Sequence, residues 1–498
     1  MEKFKKKKIG LYMGITVAMI VLVALYLVTG KQAFIRTTLS GLTLGSLFFL
    51  VAAGLTLIFG LMDVLNFAHG AMFMLGAYIG WQFYTNPTFI FGMLPAVLSI
   101  AFGLLLIPLI KPYLISLNLS EKVQKNLPKV LYVLAAVAAL IAFWQFDVMG
   151  LAKTAMVAAT VTNTNNPLAE ISTQEPMARF WIRPVMLVIS GLLLAVAISK
   201  PGDKTQFAPK EKPSKSLILP IILFVSLIVS ILVREKAPEV VLLMNGNLRF
   251  ALSIVTAVVF GLLFGAIIEI TMIRPLYVRP FFIVLMTLGL SFVIRELVQL
   301  LWDPLAYQMS RPPLFATVGK AATSISEWLQ NGSATINISG VIFPTYRLFV
   351  ILLGIVMFVF VTVLMTKTRM GMIIRAGVQD PQMVEALGIN VKQVFTMVFA
   401  LGVALAALGG IGAAPFLPIN PLMGDTYQMQ GFITVVIGGM GSYVGAFVGA
   451  MILGMARAFG DYYALKLSLS PAIAEASTVI IMIIVLLLRP QGLFGKKD

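Results

Sequence analysis

Long apolar runs recur along this chain and constrain its fold more than any other feature. Each run of roughly 17–25 residues is long enough to cross about 30 Å of hydrocarbon as a helix. Only 11% of the residues are charged and 59% are hydrophobic, whereas soluble domains carry about 25% charged residues. A β-barrel would show short segments of alternating polarity instead of continuous apolar runs. The sequence therefore predicts an all-α, polytopic membrane protein.

The apolar runs define the candidate transmembrane spans. These lie at about 9–29, 38–60, 70–84, 92–110, 130–146, 181–199, 217–233, 249–272, 281–302, 347–366, 393–414, 430–440, 442–459 and 471–488. The first run follows a Lys-rich start but lacks a small-residue cleavage site. We therefore expect residues 1–37 to hold a retained anchor helix and not a signal peptide.

Basic residues between the spans predict the orientation of the chain. The net charge of +17 comes from short Lys and Arg clusters between apolar runs, a pattern typical of membrane topology and not of nucleic-acid binding. Alternation from a cytoplasmic N-terminus makes these basic segments cytoplasmic: Lys111–Lys129, Lys200–Lys215, Arg274–Arg279, Lys367–Lys392 and the tail from Arg489. The polar loop Asp303–Tyr346 then faces outward, and the scheme requires the short run 430–440 to cross the membrane.

Polar or glycine-rich residues interrupt the apolar pattern at Asp63–Gly70 and at Gly438–Gly441. Such residues are tolerated at membrane depth where the backbone is packed by protein or lines a cavity. In transporters, paired interruptions often flank the substrate path. A cytoplasmic turn between two helices is the alternative interpretation, and it applies most directly to Asp63.

The side chains at the first interruption have two candidate roles. Asn66 and His69 either bond a passing solute or hold the broken helix together, and Phe67 and Gly70 complete the segment. A lone His is more often packed than liganded, so we favour the holding role.

The second interruption consists mainly of glycines. Gly438, Gly439 and Gly441 allow unusual backbone dihedral angles or close approach of helices. Helix packing alone is the alternative to a place in the substrate path.

The segment Gly54–Gly70, with its Asn66-Phe67-Ala68-His69-Gly70 core, resembles the permease subunits of branched-chain amino-acid ABC transporters of the LivH kind. Further blocks resemble the same family in the same order: Leu75–Tyr78, Glu269–Leu276, Thr287–Ser291, Gly371–Pro381, Leu387–Val391, Gly438–Gly441 and Arg489–Gly495. The resemblance covers roughly residues 38–84 and 249–498.

This resemblance implies an ABC importer-type permease fold with broken or re-entrant helices in the plasma (inner) membrane. The implied partners are a second permease subunit, two ATP-binding subunits and an external solute-binding protein. The implied solutes are branched-chain or related amino acids. The chain has no phosphate-binding loop of the Gly-x-x-x-x-Gly-Lys-Ser/Thr type, so we expect ATP to bind to the partners and this chain to need no cofactor or metal of its own.

The same resemblance predicts the domain organisation. We predict a first permease block at 38–90, an insertion of about four spans at 91–248 and the remainder of the permease at 249–498. The Lys- and Pro-rich loop Lys200–Lys215 within the insertion is read as a solvated linker, with binding to anionic lipid as the alternative.

The segment 366–392 is a candidate for coupling to an energy source. Asp380 and Pro381 read as an N-cap and first helical residue, and Gly388 reads as a helix stop. The predicted apolar face and its charged neighbours are Met383, Val384, Ala386 and Leu387, with Glu385 among them and Arg375 upstream. By resemblance this is the coupling helix that sits against an ATPase. The alternative is a helix in the lipid headgroup layer.

The alternative function classes are an ion-coupled secondary transporter and a membrane enzyme. An ion-coupled secondary transporter would use a charge within a span, such as Arg295, Glu296 or Asp63. Adjacent helical residues point about 100° apart, so Arg295 and Glu296 need not pair, and Glu475 raises the same question in the last span. A membrane enzyme is disfavoured, because the sequence has no Cys, one His and no cluster with catalytic spacing.

Overall fold

The computed structural model describes residues 23, 25–62, 64–115, 120–144, 146–160, 177–199, 218–379, 381–470 and 472–495. The anchor helix predicted within residues 1–37 lies mostly outside the described residues. The predicted loop Lys200–Lys215 lies wholly outside them.

The described chain is predominantly helical. Its α-helices are α1 (Lys31–Met62), α2 (His69–Thr85), α3 (Thr88–Leu105), α4 (Ile107–Ile115), α5 (Glu121–Phe143), α6 (Val148–Thr160), α7 (Met177–Ile198), α8 (Ile218–Val233), α9 (Lys236–Leu243), α10 (Gly246–Ile268), α11 (Pro280–Trp302), α12 (Ile325–Asn331), α13 (Thr345–Lys367), α14 (Arg369–Gln379), α15 (Pro381–Ala386), α16 (Val391–Ala413), α17 (Met423–Gly438), α18 (Tyr443–Lys466) and α19 (Ala472–Leu488). The all-α prediction is confirmed. A small antiparallel hairpin of β1 (Thr335–Ile338) and β2 (Val341–Pro344), which the sequence did not predict, lies in the loop before α13.

Many of these helices are suited to a bilayer. Among the described residues, eight are long and apolar enough to cross a membrane: Lys31–Gly60, Thr88–Leu105, Lys122–Phe143, Gly246–Leu276, Pro280–Trp302, Thr345–Lys367, Val391–Ala413 and Tyr443–Lys466. Shorter apolar helices cover Ile182–Ile198, Pro220–Val233 and Ala472–Leu488. The chain is therefore a polytopic membrane protein.

Two predicted spans have a different character in the structure. Helix α2, predicted at 70–84, is 17 residues long and is buried by protein along most of its length. Helix α17 begins at Met423, so the predicted start of the short crossing at residue 430 is wrong. Its first turns escaped prediction because Asp425 and Gln428 interrupt the apolar pattern there.

The chain divides into two compact units. The first comprises Met1–Trp81, Gly246–Gln299 and Pro304–Asp498, and the second comprises Gln82–Asn245 and Leu300–Asp303. The second unit takes in most of the residues predicted as an insertion.

In the first unit, helices α1 and α16 lie at the centre. In their most apolar stretches, 83% of the residues of α1 and 78% of those of α16 are buried, against 17–28% for α10, α11 and α13. The outer helices expose large apolar side chains, among them Phe281 on α11 and Leu352 on α13. Such faces suit lipid, whereas the central helices are surrounded by protein.

Small residues allow the central helices to approach closely. A Cβ on Gly454 of α18 would overlap the backbone of Gly41 and Gly45 on α1. On α10, a Cβ on Gly261 would lie 3.0 Å from the Cα of Ala404 on α16. Since lipid tails are as apolar as Leu, close packing of this kind is a main source of helix association in membranes.

In the second unit, α3 packs against α7 and α8, and α5 packs against α7. Glycines again mediate one crossing, because a Cβ on Gly191 of α7 would lie 3.0 Å from the Cα of Gly103 on α3. Gln82 accepts a hydrogen bond from Trp302 Nε1 at 2.8 Å and donates one to Thr154 Oγ1 at 3.3 Å. These bonds satisfy polar groups within an apolar unit.

We predict that Gly454→Val lowers the thermal unfolding midpoint of the protein in detergent. The new side chain has no space at the crossing with α1, and overpacking of this kind costs about 1–3 kcal/mol or more. The matched control is Gly289→Val on α11, where no atom lies within 4 Å of an added Cβ. Equal midpoints for the two variants would show that the α1–α18 crossing does not limit stability.

Candidate functional site

The chain breaks its helical path between α1 and α2. Helix α1 ends at Met62 and α2 begins at His69; Asp63 lies outside the described residues. Asn66 is buried, and its Oδ1 accepts a hydrogen bond from the backbone N–H of Ala68 at 3.0 Å. This local bond lets the chain turn without forming a helix.

Side chains from distant helices satisfy the backbone of the break. Gln428 of α17 donates from Nε2 to the Asn66 carbonyl at 3.2 Å, and its Oε1 accepts from the Gly70 N–H. Thr287 of α11 accepts from the Phe67 N–H at 3.1 Å. Backbone polar groups away from water need such partners. The break is therefore held by α11 and α17.

His69 is fully buried beside the break. Its Nε2 donates to the Val51 carbonyl of α1 at 3.1 Å, so the neutral ring carries its proton on Nε2 and Nδ1 is an acceptor. A Cβ on Gly54 would lie 2.6 Å from the His69 ring. These contacts suit the holding role that the sequence favoured for His69.

Asn66 and His69 each have one polar side-chain atom without a hydrogen-bond partner within the described part of the chain. These atoms are the buried Asn66 Nδ2, a donor, and the buried His69 Nδ1, an acceptor. Buried polar atoms are normally bonded, so each is a point where a polar solute group would gain a hydrogen bond. Asn66 and His69 can therefore hold the break with one polar atom and bond a solute with the other.

The second predicted interruption forms the turn between α17 and α18. Gly439 and Gly441 have φ of +96° and +79°, in the left-handed region that favours glycine. Gly438 has no space for a side chain, because a Cβ there would overlap the backbone of Gly445 on α18. The turn therefore requires glycine for both conformation and close approach.

The C-terminal tail closes this turn. The Leu493 N–H donates to the Ile437 carbonyl at 2.8 Å, and the Phe494 N–H donates to the Gly438 carbonyl at 3.0 Å. These bonds cap carbonyls at the end of α17 that have no partner within the helix. The sequence blocks Gly438–Gly441 and Arg489–Gly495 thus form one structural unit.

Helix α17 joins the two interruptions. Its middle contacts the first through Gln428 and through Phe432, whose ring centroid lies 4.9 Å from that of Phe67. Its end forms the second, where a Cβ on Gly60 of α1 would lie 2.9 Å from the Cα of Gly441. Movement of α17 would therefore act on both.

A buried ionic cluster at the end of α10 was missed as a site by sequence reasoning. A π-helical turn, Glu269–Ile273, follows α10. The fully buried Glu269 carboxylate accepts from Arg274 Nη2 at 2.8 Å, from Arg274 Nε at 3.2 Å and from the Tyr277 hydroxyl. Thr396 of α16 donates to the same carboxylate at 2.7 Å. The cluster ties α10 to the first turns of α16. The sequence signal for this cluster is the pair Glu269 and Arg274, two opposite charges five residues apart in an apolar run.

The candidate coupling segment 366–392 forms helices α14 and α15. Ile374 of α14 packs with Val394 and Val398 of α16 in a small core, and further apolar side chains complete it. These partners are Met62, Met365, Ile373 and Ile389. Because Met62 is the last residue of α1, this core connects the segment to the helix end before the break.

Helix α15 differs in part from its prediction. Val384 of the predicted apolar face is already buried within the chain, so it does not share an exposed surface with Met383 and Leu387. The helix turns Val384 inward and exposes 62% of Met383 and 70% of Leu387. Ala386 and Glu385 are exposed as well.

The predictions for the two ends of α15 and for Arg375 are compared with the structure one by one. Gly388 follows α15 with φ of +80°, the left-handed conformation expected of a helix stop. Arg375 lies on α14, is exposed, and its Nε donates to the Gly371 carbonyl at 3.3 Å. Pro381 is the first residue of α15, and the predicted N-cap Asp380 lies outside the described residues.

The charged residues of α11 have partners. Arg295 Nη1 lies 3.0 Å from Asp425 Oδ2 on α17, and its Nε lies 3.7 Å from Glu296 Oε1. Glu475 likewise pairs with Arg457 of α18 at 3.4 Å. The charge of Arg295 is therefore compensated, and the pair adds a contact between α11 and α17.

Comparison with known proteins identifies the family to which the chain belongs. Residues 219–488 match the family described as branched-chain amino acid transport system / permease component. The high-affinity branched-chain amino acid transport system permease protein LivH of Escherichia coli K12 is 30% identical over 256 residues, covering 51% of this chain and 77% of that protein.

Two other curated relatives match shorter stretches. LivH of Salmonella typhimurium is 36% identical over 138 residues, which cover 28% of this chain and 43% of that protein. The permease protein BraD of Pseudomonas aeruginosa is 29% identical over 168 residues, which cover 32% and 52% respectively. No solved structure matches the chain.

We predict that Gln428→Met destabilises the protein. The change leaves the Asn66 carbonyl and the Gly70 N–H without their partner, and each unsatisfied buried group costs about 1–3 kcal/mol. Thermal unfolding in detergent measures the loss. Gln430→Met is the matched control, because its buried Oε1 has no partner among the described residues. A loss for Gln430→Met as large as for Gln428→Met would contradict the holding role.

We predict that Arg274→Met costs more stability than the double change Glu269→Met with Arg274→Met. The single change leaves a buried carboxylate without its cation, a loss of about 3–5 kcal/mol, whereas an apolar pair of similar volume is often tolerated. Unfolding midpoints of the two variants and of Glu269→Met give the comparison. If the double variant is the least stable, the ion pair is not the element that the cluster depends on.

Proposed function

Because the chain belongs to the branched-chain amino acid transport permease family, we propose that it carries branched-chain or related amino acids across the plasma (inner) membrane. It is the membrane-spanning subunit of the importer. ATP drives the cycle from other subunits. Its relatives LivH and BraD are permease proteins of branched-chain amino acid transport systems, which supports this solute class.

The proposed assembly contains a second permease subunit, two ATP-binding subunits and an external solute-binding protein. ATP binds to the ATP-binding subunits, so this chain supplies the path and the mechanical link. Support comes from its family and from the absence of a phosphate-binding loop in the sequence.

In the proposed orientation the N-terminus and the coupling segment face the cytoplasm. The basic residues of Lys367–Lys392 support this side by the positive-inside rule. Helix α13 ends at Lys367 and α16 begins at Val391, so both helices meet the segment at one membrane face.

The observation that carries the proposed mechanism is the small core beneath the coupling segment. Leu387 is exposed, while Ile374 of the same segment packs with Val394 and with Met62. A push on the exposed side of α15 by a closing ATP-binding subunit therefore reaches α16 and the end of α1. Packed interiors transmit such displacements because they are close-packed and barely compressible.

From Met62 the displacement acts on the break. The break is held by single side chains, Gln428 and Thr287, and not by a continuous helix. Bonds of this kind can be exchanged for others at small net cost. We propose that α17, which contacts both interruptions, shifts during the cycle and opens the path to alternate sides.

We predict that Leu387→Asp abolishes ATP-driven uptake and leaves membrane insertion and the unfolding midpoint unchanged. A carboxylate on an apolar contact surface opposes docking, whereas the exposed position tolerates it in the isolated chain. The measurements are leucine uptake in membranes and recovery of the ATP-binding subunits with the purified permease.

Two variants serve as controls. Leu387→Met keeps an apolar side chain of similar volume and is expected to retain uptake. Leu329→Asp introduces the same charge at another exposed leucine, on α12. This variant is expected to retain the ATP-binding subunits. Normal uptake by Leu387→Asp, or uptake that follows an ion gradient and persists without ATP, would contradict the proposed function.

A further inference from the structure

A cavity lies at the ends of the helices opposite to the coupling segment. Its volume is about 540 Å³, within the range of about 300–1,000 Å³ for small-molecule sites. Arg36 near the start of α1, Arg347 near the start of α13 and Asp461 near the end of α18 line it. The coupling segment follows α13 and precedes α16, so it lies at the other end of the bundle.

Two guanidinium groups in this cavity have no carboxylate partner. Among the residues that the structure describes, neither Arg36 nor Arg347 has a carboxylate oxygen within 4.0 Å. Arg347 is half-buried; its Nη1 lies 3.5 Å from Ser40 Oγ, and its guanidinium lies 5.9 Å from the ring centroid of Phe416. An uncompensated charge near the membrane is costly, so this position favours an anion.

The carboxylate of the cavity, Asp461, has one cationic neighbour, which it shares with another carboxylate. Asp461 Oδ1 lies 3.5 Å from Arg457 Nε, and Arg457 is shared with Glu475 at 3.4 Å. The Asp461 side chain is 44% exposed, and a carboxylate has about four acceptor positions. It therefore has capacity for a further donor.

The rest of the lining is apolar or carries hydroxyl groups. Leu44, Phe416, Leu417, Leu465 and Leu469 supply the apolar wall. Cations, one carboxylate and an apolar wall together match a molecule with a carboxylate, an ammonium group and a hydrocarbon side chain. An acidic side chain of a docking protein matches less well, because Asp461 would repel it.

We propose that this cavity binds a free zwitterionic amino acid with an apolar side chain before it passes between the helices. Arg347, with Arg36, holds the α-carboxylate, and Asp461 accepts from the ammonium group. The leucines and Phe416 contact the side chain. The proposal rests on the proposed function for the solute class and adds a site at the outer ends of the helices.

The test is equilibrium binding to the purified full chain in lipid nanodiscs, without other subunits. Leucine is compared with 4-methylpentanoate, which lacks the ammonium group, and with isoamylamine, which lacks the carboxylate. Wild-type protein is expected to bind leucine at least about tenfold more tightly than either analogue, since each analogue loses one charge-assisted contact.

Variants assign the contacts. Arg347→Gln is expected to weaken leucine binding about tenfold or more and to leave isoamylamine unchanged. Asp461→Asn is expected to weaken leucine binding and to leave 4-methylpentanoate binding unchanged or tighter. Arg279→Gln, at the other end of the bundle beside Phe282, is the matched control and is expected to bind all three compounds as wild type does.

Two results would overturn the proposal. They are wild-type protein that does not distinguish leucine from its analogues, and unchanged leucine binding by Arg347→Gln. In each case ATP-driven leucine uptake by wild-type protein would leave the proposed function intact. Absence of that uptake would instead contradict the proposed function itself.

Discussion

A buried backbone that leaves its helix must have its N–H and C=O groups bonded by protein. In this chain the requirement falls on the break between α1 and α2, and Gln428 and Thr287 meet it. The burial of α17, the position of α11 against the break and the enclosure of His69 all follow from it. Loss of these bonds would leave buried polar groups without partners.

The same requirement explains why the functional elements converge on a few helices. Helix α17 carries Gln428, forms the ion pair with Arg295 and ends at the glycine turn that the C-terminal tail caps. Helix α16 carries the core beneath the coupling segment and Thr396 of the ionic cluster. In the proposed cycle, displacement of the candidate coupling segment would reach the break through short packed contacts, with no need for a long flexible connection.

Sequence patterns predicted the helical class, because long apolar runs leave few alternatives, and they predicted the glycine stop after α15. They did not predict the partners of the break. Gln428 lies in a polar stretch of α17 whose helical start no apolar run marks, and its bonds to Asn66 and Gly70 span about 360 residues. The inward direction of Val384 was also missed, since it depends on packing against α16.

The central claim is that an ATP-binding subunit contacts α15 while the permease works. Because the chain has no Cys, Leu387→Cys introduces a single thiol that can carry a photocrosslinker in membranes that take up leucine. We predict a crosslink to an ATP-binding protein, with a yield that changes when ATP is added. Crosslinks to lipid alone, in membranes that still transport, would contradict the claim.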